Sequence, residues 1–144
     1  MEPSGERTVE GVDTESLRDY LAQTDVVFAI LFGSRARGTA RESSDFDLAL
    51  RFPAALDDHE RFRRRNRIDA AVQEYAADFV DVSDIESLPT PVAYAALRDG
   101  VLLAGDRQAA ESYYEQIKAE YEETAGERER ERRSFIDRLA RGDV

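Results

Sequence analysis

The strongest constraint on this chain lies between Val26 and Phe52. An uninterrupted apolar run, Val26 to Phe32 (VVFAILF), ends at Gly33-Ser34, and a second segment, Phe46 to Phe52 (FDLALRF), opens beside Asp45 and Asp47. The first run has the pattern of a strand buried on both faces. The second alternates, as a strand does. Residues two apart on a strand share a face, so Asp45 and Asp47 project together from its start. Two such carboxylates repel each other unless a cation or a proton sits between them. A Gly-Ser turn after a buried strand presents backbone N–H groups suited to phosphate. The stretch GSRARGTARESSDFD (33–47) therefore reads as a metal and nucleotide site.

The 144 residues are enough for one domain with a real core. A net charge of −11 argues against a general nucleic-acid binder, which needs a basic footprint to displace counterions. Lys118 is the only lysine among the 20 basic residues. Abundant acid with so little lysine suggests salt adaptation, since high salt would screen the self-repulsion; high-GC codon bias is the plainer alternative. With no cysteine there is no disulfide framework and no thiolate metal site. No apolar run approaches the length of a membrane span, and Met1 to Gly11 lacks an apolar signal core. The expectation is a cytoplasmic protein with no membrane partner.

Taken in order, Met1 to Gly11 is polar and reads as frayed. Asp13 to Gln23 has Leu17, Tyr20 and Leu21 at helical spacing, with Asp13 or Thr14 as cap. The strands Val26 to Phe32 and Asp45 to Phe52 follow, the second ended by Pro53. Asp57 to Ala77 reads as a helix with Ile68, Val72, Tyr75 and Ala76 on one face. Its basic centre, RFRRRNR (61–67), reads as a solvated face rather than an RNA contact. Phe79 to Ile85 alternates as a third strand. Thr90-Pro91 is the cap and first position of a helix that stops at Gly100, and Val101 to Ala104 is a short strand suited to a sheet edge.

From Asp106 to Leu139 the composition is helical, with a stripe of Ala110, Tyr113, Tyr114, Ile117 and Tyr121, an interruption at Gly126, and a terminal patch of Phe135, Ile136 and Leu139. The tyrosines read as helix packing. The order predicts an α/β (α+β) fold: a small mixed sheet with helices packed on one side, then a C-terminal helical tail.

A site holding two divalent metals about 3.5–4 Å apart could clamp the attacking and leaving oxygens of a displacement at phosphorus. It would need a third carboxylate from a neighbouring strand. Phe79 to Ile85 offers Asp81 on one face with Phe79 and Ser83, or Asp78 and Asp84 on the other with Val80 and Val82. The valine face looks like core, so Asp81 is preferred and Asp78 is the main alternative.

Gly33-Ser34, ten residues and then Asp45-x-Asp47 match the GSx10DxD signature of nucleotidyltransferases with the DNA polymerase β-type fold. GSRARG (33–38) and SDFDL (44–48) resemble the minimal nucleotidyltransferases, the small single-domain branch. AALRDGVLLAGD (95–106) resembles the helix–Gly–strand segment that those proteins carry after the third aspartate. The resemblance implies a polymerase β-like domain over residues 12–106, and leaves 107–144 as a helical tail. It implies that Asp45, Asp47 and Asp81 hold Mg²⁺, two ions in all, and that Asp81 helps deprotonate an acceptor hydroxyl. Gly33 and Ser34 would bind the triphosphate of ATP, with Arg37 close by. Minimal members are frequently the antitoxin of a two-gene module whose toxin is a HEPN-domain RNase, and some transfer AMP to a toxin tyrosine.

The expectation is thus a Mg²⁺-dependent protein adenylyltransferase that forms a hetero-oligomer with a HEPN-domain toxin, with the tail as docking element and no direct nucleic-acid partner. Two other readings use the same residues: a binding-only antitoxin, and transfer to a small-molecule hydroxyl.

Overall fold

The computed structural model of the chain describes residues 9–33 and 46–142. Strand β1 (Phe28–Phe32) is buried along almost its whole length, which suits the middle of a sheet covered on both faces. It pairs antiparallel with β2 (Phe46–Arg51) on one side and with β4 (Val101–Gly105) on the other. Strand β3 (Val80–Asp84) lies parallel to β2, giving the order β3-β2-β1-β4. Parallel neighbours need a crossover, and helix α2 (Asp58–Val72) supplies it.

Aspartates start three of the four α-helices among the described residues. Asp13 accepts the Ser16 N–H at the head of α1 (Thr14–Ala22), Asp57 accepts the Glu60 N–H at α2, and Asp106 accepts the Gln108 N–H at α4 (Arg107–Arg141). Such caps satisfy N–H groups that the first helical turn leaves without partners. Helix α3 (Thr90–Asp99) begins differently: extended Pro89 is its cap and Thr90 is already helical. The expected start at Thr90 is therefore displaced by one residue. Pro91 still falls in the first turn, where its missing N–H costs nothing.

The sheet sorts its side chains by parity into two cores. Ala29, Leu31, Leu48, Leu50, Val80, Val82, Val101 and Leu103 pack with Leu17 and Leu21 of α1 and Ile68 and Val72 of α2. Phe28, Ile30, Ala49 and Leu102 pack with Ala93 and Leu97 of α3 and Ala110, Tyr113 and Ile117 of α4. The mixed sheet and helical C-terminus are as expected, but the helices lie on both sides rather than one. The reason is in β1: apolar at every position, it would strip one whole face bare if only the other were covered.

Four local departures have physical causes. Residues from Val9 are held rather than frayed: Val9 is buried, Val12 bridges Ala76, and the Asp13 N–H donates to the Tyr75 carbonyl. Helix α2 ends at Val72 and tightens into a 3₁₀ turn, Gln73–Tyr75, where Gln73 turns its side chain to β3. Helix α4 runs unbroken through Gly126. A mid-helix glycine costs only about 1 kcal/mol, and Arg128 bridges it by donating to Thr124 Oγ1 and the Tyr121 carbonyl while lying 4.2 Å over the Tyr121 ring. Finally, the basic centre of α2 is largely tied to neighbours: Arg61 to Asp84 and Glu86, Arg63 and Arg64 to Glu60, Arg64 also to Asp25, and Arg65 to Asp69.

The tyrosines of α4 do pack. Tyr113 lies against Phe28, while Tyr114 and Tyr121 stack on Tyr94 of α3. Beyond Gly126 the helix leaves the core, and Phe135, Ile136 and Leu139 are each about half exposed. Among the described residues no helix is long and apolar enough to cross a membrane.

Candidate active site

The ends of β1 and β2 meet where Phe32 lies opposite Asp47. The next residue, Gly33, has φ +99, a conformation that L side chains rarely adopt. A Cβ on Gly33 would lie 2.5 Å from Asp47 Oδ2 and 3.5 Å from Asp47 Cγ. The glycine thus does two jobs: it turns the chain after the buried strand, and it leaves the space that the Asp47 carboxylate occupies.

Asp47 is half-buried and belongs to the odd-numbered face of β2 with Ala49 and Arg51, the side of α3 and α4. On parallel β3 its register partner is Asp81, which is exposed. Neighbouring strands run about 4.8 Å apart, and partners at the same register share a face, so the two carboxylates stand side by side. Asp84 belongs elsewhere. It pairs with Arg61 at 3.7 Å and caps the turn after β3 through the Glu86 N–H. Asp78 precedes the strand. Of the sequence-derived candidates the structure brings together Gly33, Asp47 and Asp81; Ser34, Arg37 and Asp45 lie outside the described residues. Among the described residues no group of three or more His, Cys, Asp or Glu could hold a metal.

Two features near this point are not among the sequence-derived candidates. A cavity of about 300 Å³ opens beside Gly33, lined by Phe32 and, from α3, Pro91, Val92, Ala95 and Ala96. Its one sequence signal is the apolar pair Pro91-Val92 in the first turn of a helix. The other is Phe79, 55% exposed just before β3, which the alternation of Phe79 to Ile85 presents as an ordinary strand position. Further along the same face, the Arg51 guanidinium lies 4.0 Å over the Tyr113 ring. Burial pushes the Tyr113 hydroxyl above its usual pKa, and the Arg51 charge pulls the other way.

Two adjacent carboxylates form a set of hard oxygen donors of the kind that Mg²⁺ takes in phosphate chemistry. Comparison with known proteins places the fold and the family. The family model for polymerase β nucleotidyltransferases matches residues 15–109, well over half the chain. The protein adenylyltransferase MntA of Shewanella oneidensis is 26% identical over 113 residues, covering 78% of this chain and 77% of that protein. The fold is also that of a chain in a toxin–antitoxin crystal structure with AMP-PNP (TM-score 0.61, 23% identity, 89% of this chain and 97% of that one). It likewise matches a chain in the structure of tri-AMPylated Shewanella oneidensis HEPN toxin with its MNT antitoxin (TM-score 0.57, 20% identity, 88% and 98%). With Gly33 and Asp47 meeting at one sheet end and the family model spanning the sheet, this chain belongs to the polymerase β nucleotidyltransferase family.

Proposed function

We propose that this nucleotidyltransferase moves AMP from ATP to a tyrosine hydroxyl of a HEPN-domain toxin, and is that toxin's antitoxin. The observation that carries the reading is the side-by-side placement of Asp47 and Asp81 with Gly33 against Asp47. The named relatives, an adenylyltransferase and the components of toxin–antitoxin complexes, support the choice of donor and acceptor.

In this reading the acceptor oxygen forms a bond to the α-phosphorus of ATP, the bond to the bridging oxygen breaks, and pyrophosphate leaves. Asp81, open to solvent on β3, takes the proton of the hydroxyl and passes it to water. Gly33 and Ser34 would offer backbone N–H groups to the triphosphate, and Arg37 would add charge. Asp45, Asp47 and Asp81 would hold Mg²⁺, and the donor chemistry of the two described carboxylates fits it. When bound, the ion neutralises the charge that builds on the phosphate oxygens.

A second reading has its own observation. The end of α4 is solvent-exposed over residues 131–140 and carries Phe135, Ile136 and Leu139, as a docking element would. A binding-only antitoxin could use it to occlude the toxin without chemistry. The domain division at residue 107 is useful only in part, because Ala110, Tyr113 and Ile117 belong to the core; a truncation that tests docking should begin after Gly126.

The deciding experiment incubates the full chain with α-³²P-ATP, Mg²⁺ and the HEPN-domain protein encoded beside it. Label on the HEPN protein supports transfer; neutralisation of its RNase activity without label supports occlusion. The acidic, lysine-poor composition further supports work in a high-salt cytoplasm, which a rise in melting temperature from low to molar KCl would bear out.

A further inference from the structure

Strand β3 is an edge strand whose backbone is engaged on both sides. Toward β2 it is paired from Phe46↔Val80 to Leu50↔Asp84, and the Phe46 N–H donates to the Phe79 carbonyl at 3.1 Å. On the outer side the Gln73 side-chain amide takes the place of a further strand. Its Oε1 accepts the Val80 N–H at 2.9 Å and its Nε2 donates to the Val80 carbonyl at 2.8 Å. Arg65 Nη1 donates to the Val82 carbonyl at 2.8 Å. Asp69 holds Gln73 in position, accepting from the same Nε2 at 2.8 Å. An edge plugged in this way offers little to an incoming strand. What β3 presents to another molecule is its side chains.

On the face that carries Asp81, the neighbouring side chain toward the strand's start is Phe79, held in the ladder by its carbonyl. Two residues along a strand is about 7 Å. Val80 and Val82, on the opposite face, are buried, whereas Phe79 is 55% exposed. A phenylalanine left that open forgoes much of the gain that burial would bring. The second core reaches β3 at Ile85, beyond the far end of the strand, where the side chain is 1% exposed.

We infer that Phe79 is the residue that recognises the acceptor: its ring is the apolar lip on which the hydroxyl-bearing segment of the acceptor protein rests when that hydroxyl reaches Asp81. The inference rests on the transfer reading given above. A hydroxyl within hydrogen-bond reach of Asp81 has the body of its own residue a few ångströms behind it. On the β1 side of Asp47 that space belongs to Gly33 and α3; among the described residues the open side is the β3 edge, where Phe79 stands. A single aromatic anchor at such a point is the kind of residue that dominates a protein contact, and a ring partner there would gain further from aromatic packing.

The test compares Phe79→Ala and Phe79→Leu with the unaltered chain, using the same HEPN-domain protein as acceptor and a fluorescent ATP analogue with Mg²⁺ for nucleotide affinity. Phe62→Ala is the control, since Phe62 is 60% exposed on α2. The expected result for Phe79→Ala is a KM for the acceptor raised at least tenfold, with kcat and nucleotide affinity within twofold and the melting temperature unmoved. Phe79→Leu should fall between, and Phe62→Ala should match the unaltered chain. An unchanged acceptor KM in Phe79→Ala would overturn the inference while leaving transfer intact, as would an equal loss of nucleotide affinity. If the unaltered chain binds the nucleotide yet labels no HEPN protein, the transfer reading fails and the inference goes with it.

Discussion

Phe46, Leu48 and Leu50 face one side of β2 and are wholly buried with α1 and α2, while Asp47, Ala49 and Arg51 face the other, where only Ala49 is fully covered. The even face is uniform, and its burial stabilises the sheet. The odd face is graded. Among the described residues it is sealed over β1 and β4 by α3 and α4 and opens toward β3, where the two aspartates stand. On the proposed reading, one strand separates folding from chemistry by parity, with its buried face to α1 and α2 and its carboxylate on the other.

That contrast is easiest to break from the buried side. Leu48→Ala should cost about 2–5 kcal/mol in a denaturant titration, the range for large-to-small changes in a packed core, while the fraction that remains folded keeps its nucleotide affinity. A cost below about 1 kcal/mol would mean that the even face does not carry the stability assigned to it.

Gly33→Ala sharpens the comparison where the faces meet. The positive φ and the Cβ aimed at Asp47 Oδ2 together predict a loss of about 1–3 kcal/mol. Unlike Leu48→Ala, this change should also weaken Mg²⁺-dependent ATP binding in the folded protein, because the Asp47 carboxylate must move. Stability loss with unaltered binding would detach Gly33 from the site.

The smallest effect comes from the covered part of the odd face. Burial raises the Tyr113 pKa above its ordinary 10.0, so the folded chain holds that proton more tightly than the unfolded one. The associated stability is complete below pH 10 and is lost as pH rises through the raised value. Tyr113→Phe should therefore flatten the fall in melting temperature above about pH 10. An unchanged alkaline limb would place the hydroxyl in solvent.

Much of this arrangement is legible in the amino-acid sequence. The run VVFAILF announces a central strand, and the alternation in FDLALRF and FVDVSDI puts Asp47 and Asp81 on faces that the parallel register aligns. What local patterns do not contain are relations between elements. Gln73 reads as a helix residue, yet it serves as a strand surrogate for β3. Gly126 reads as a break, but Arg128 spans it. The expectation of helices on one side overlooks what the unbroken apolar run of β1 requires. The exposure of Phe79 is a tertiary fact that the alternation of its own segment does not show.

The central claim, that the opened end of the odd face is an active site and not a part of the folding core, is tested most directly by Asp47→Asn and Asp81→Asn. Both variants would be assayed for transfer of label from α-³²P-ATP beside thermal melts of the same preparations. The expected result is that transfer falls on the order of 10²–10⁴-fold while both melting temperatures stay within about 3 °C, a change worth under roughly 1 kcal/mol. Undiminished transfer in either variant, or loss of transfer matched by loss of fold, would contradict it.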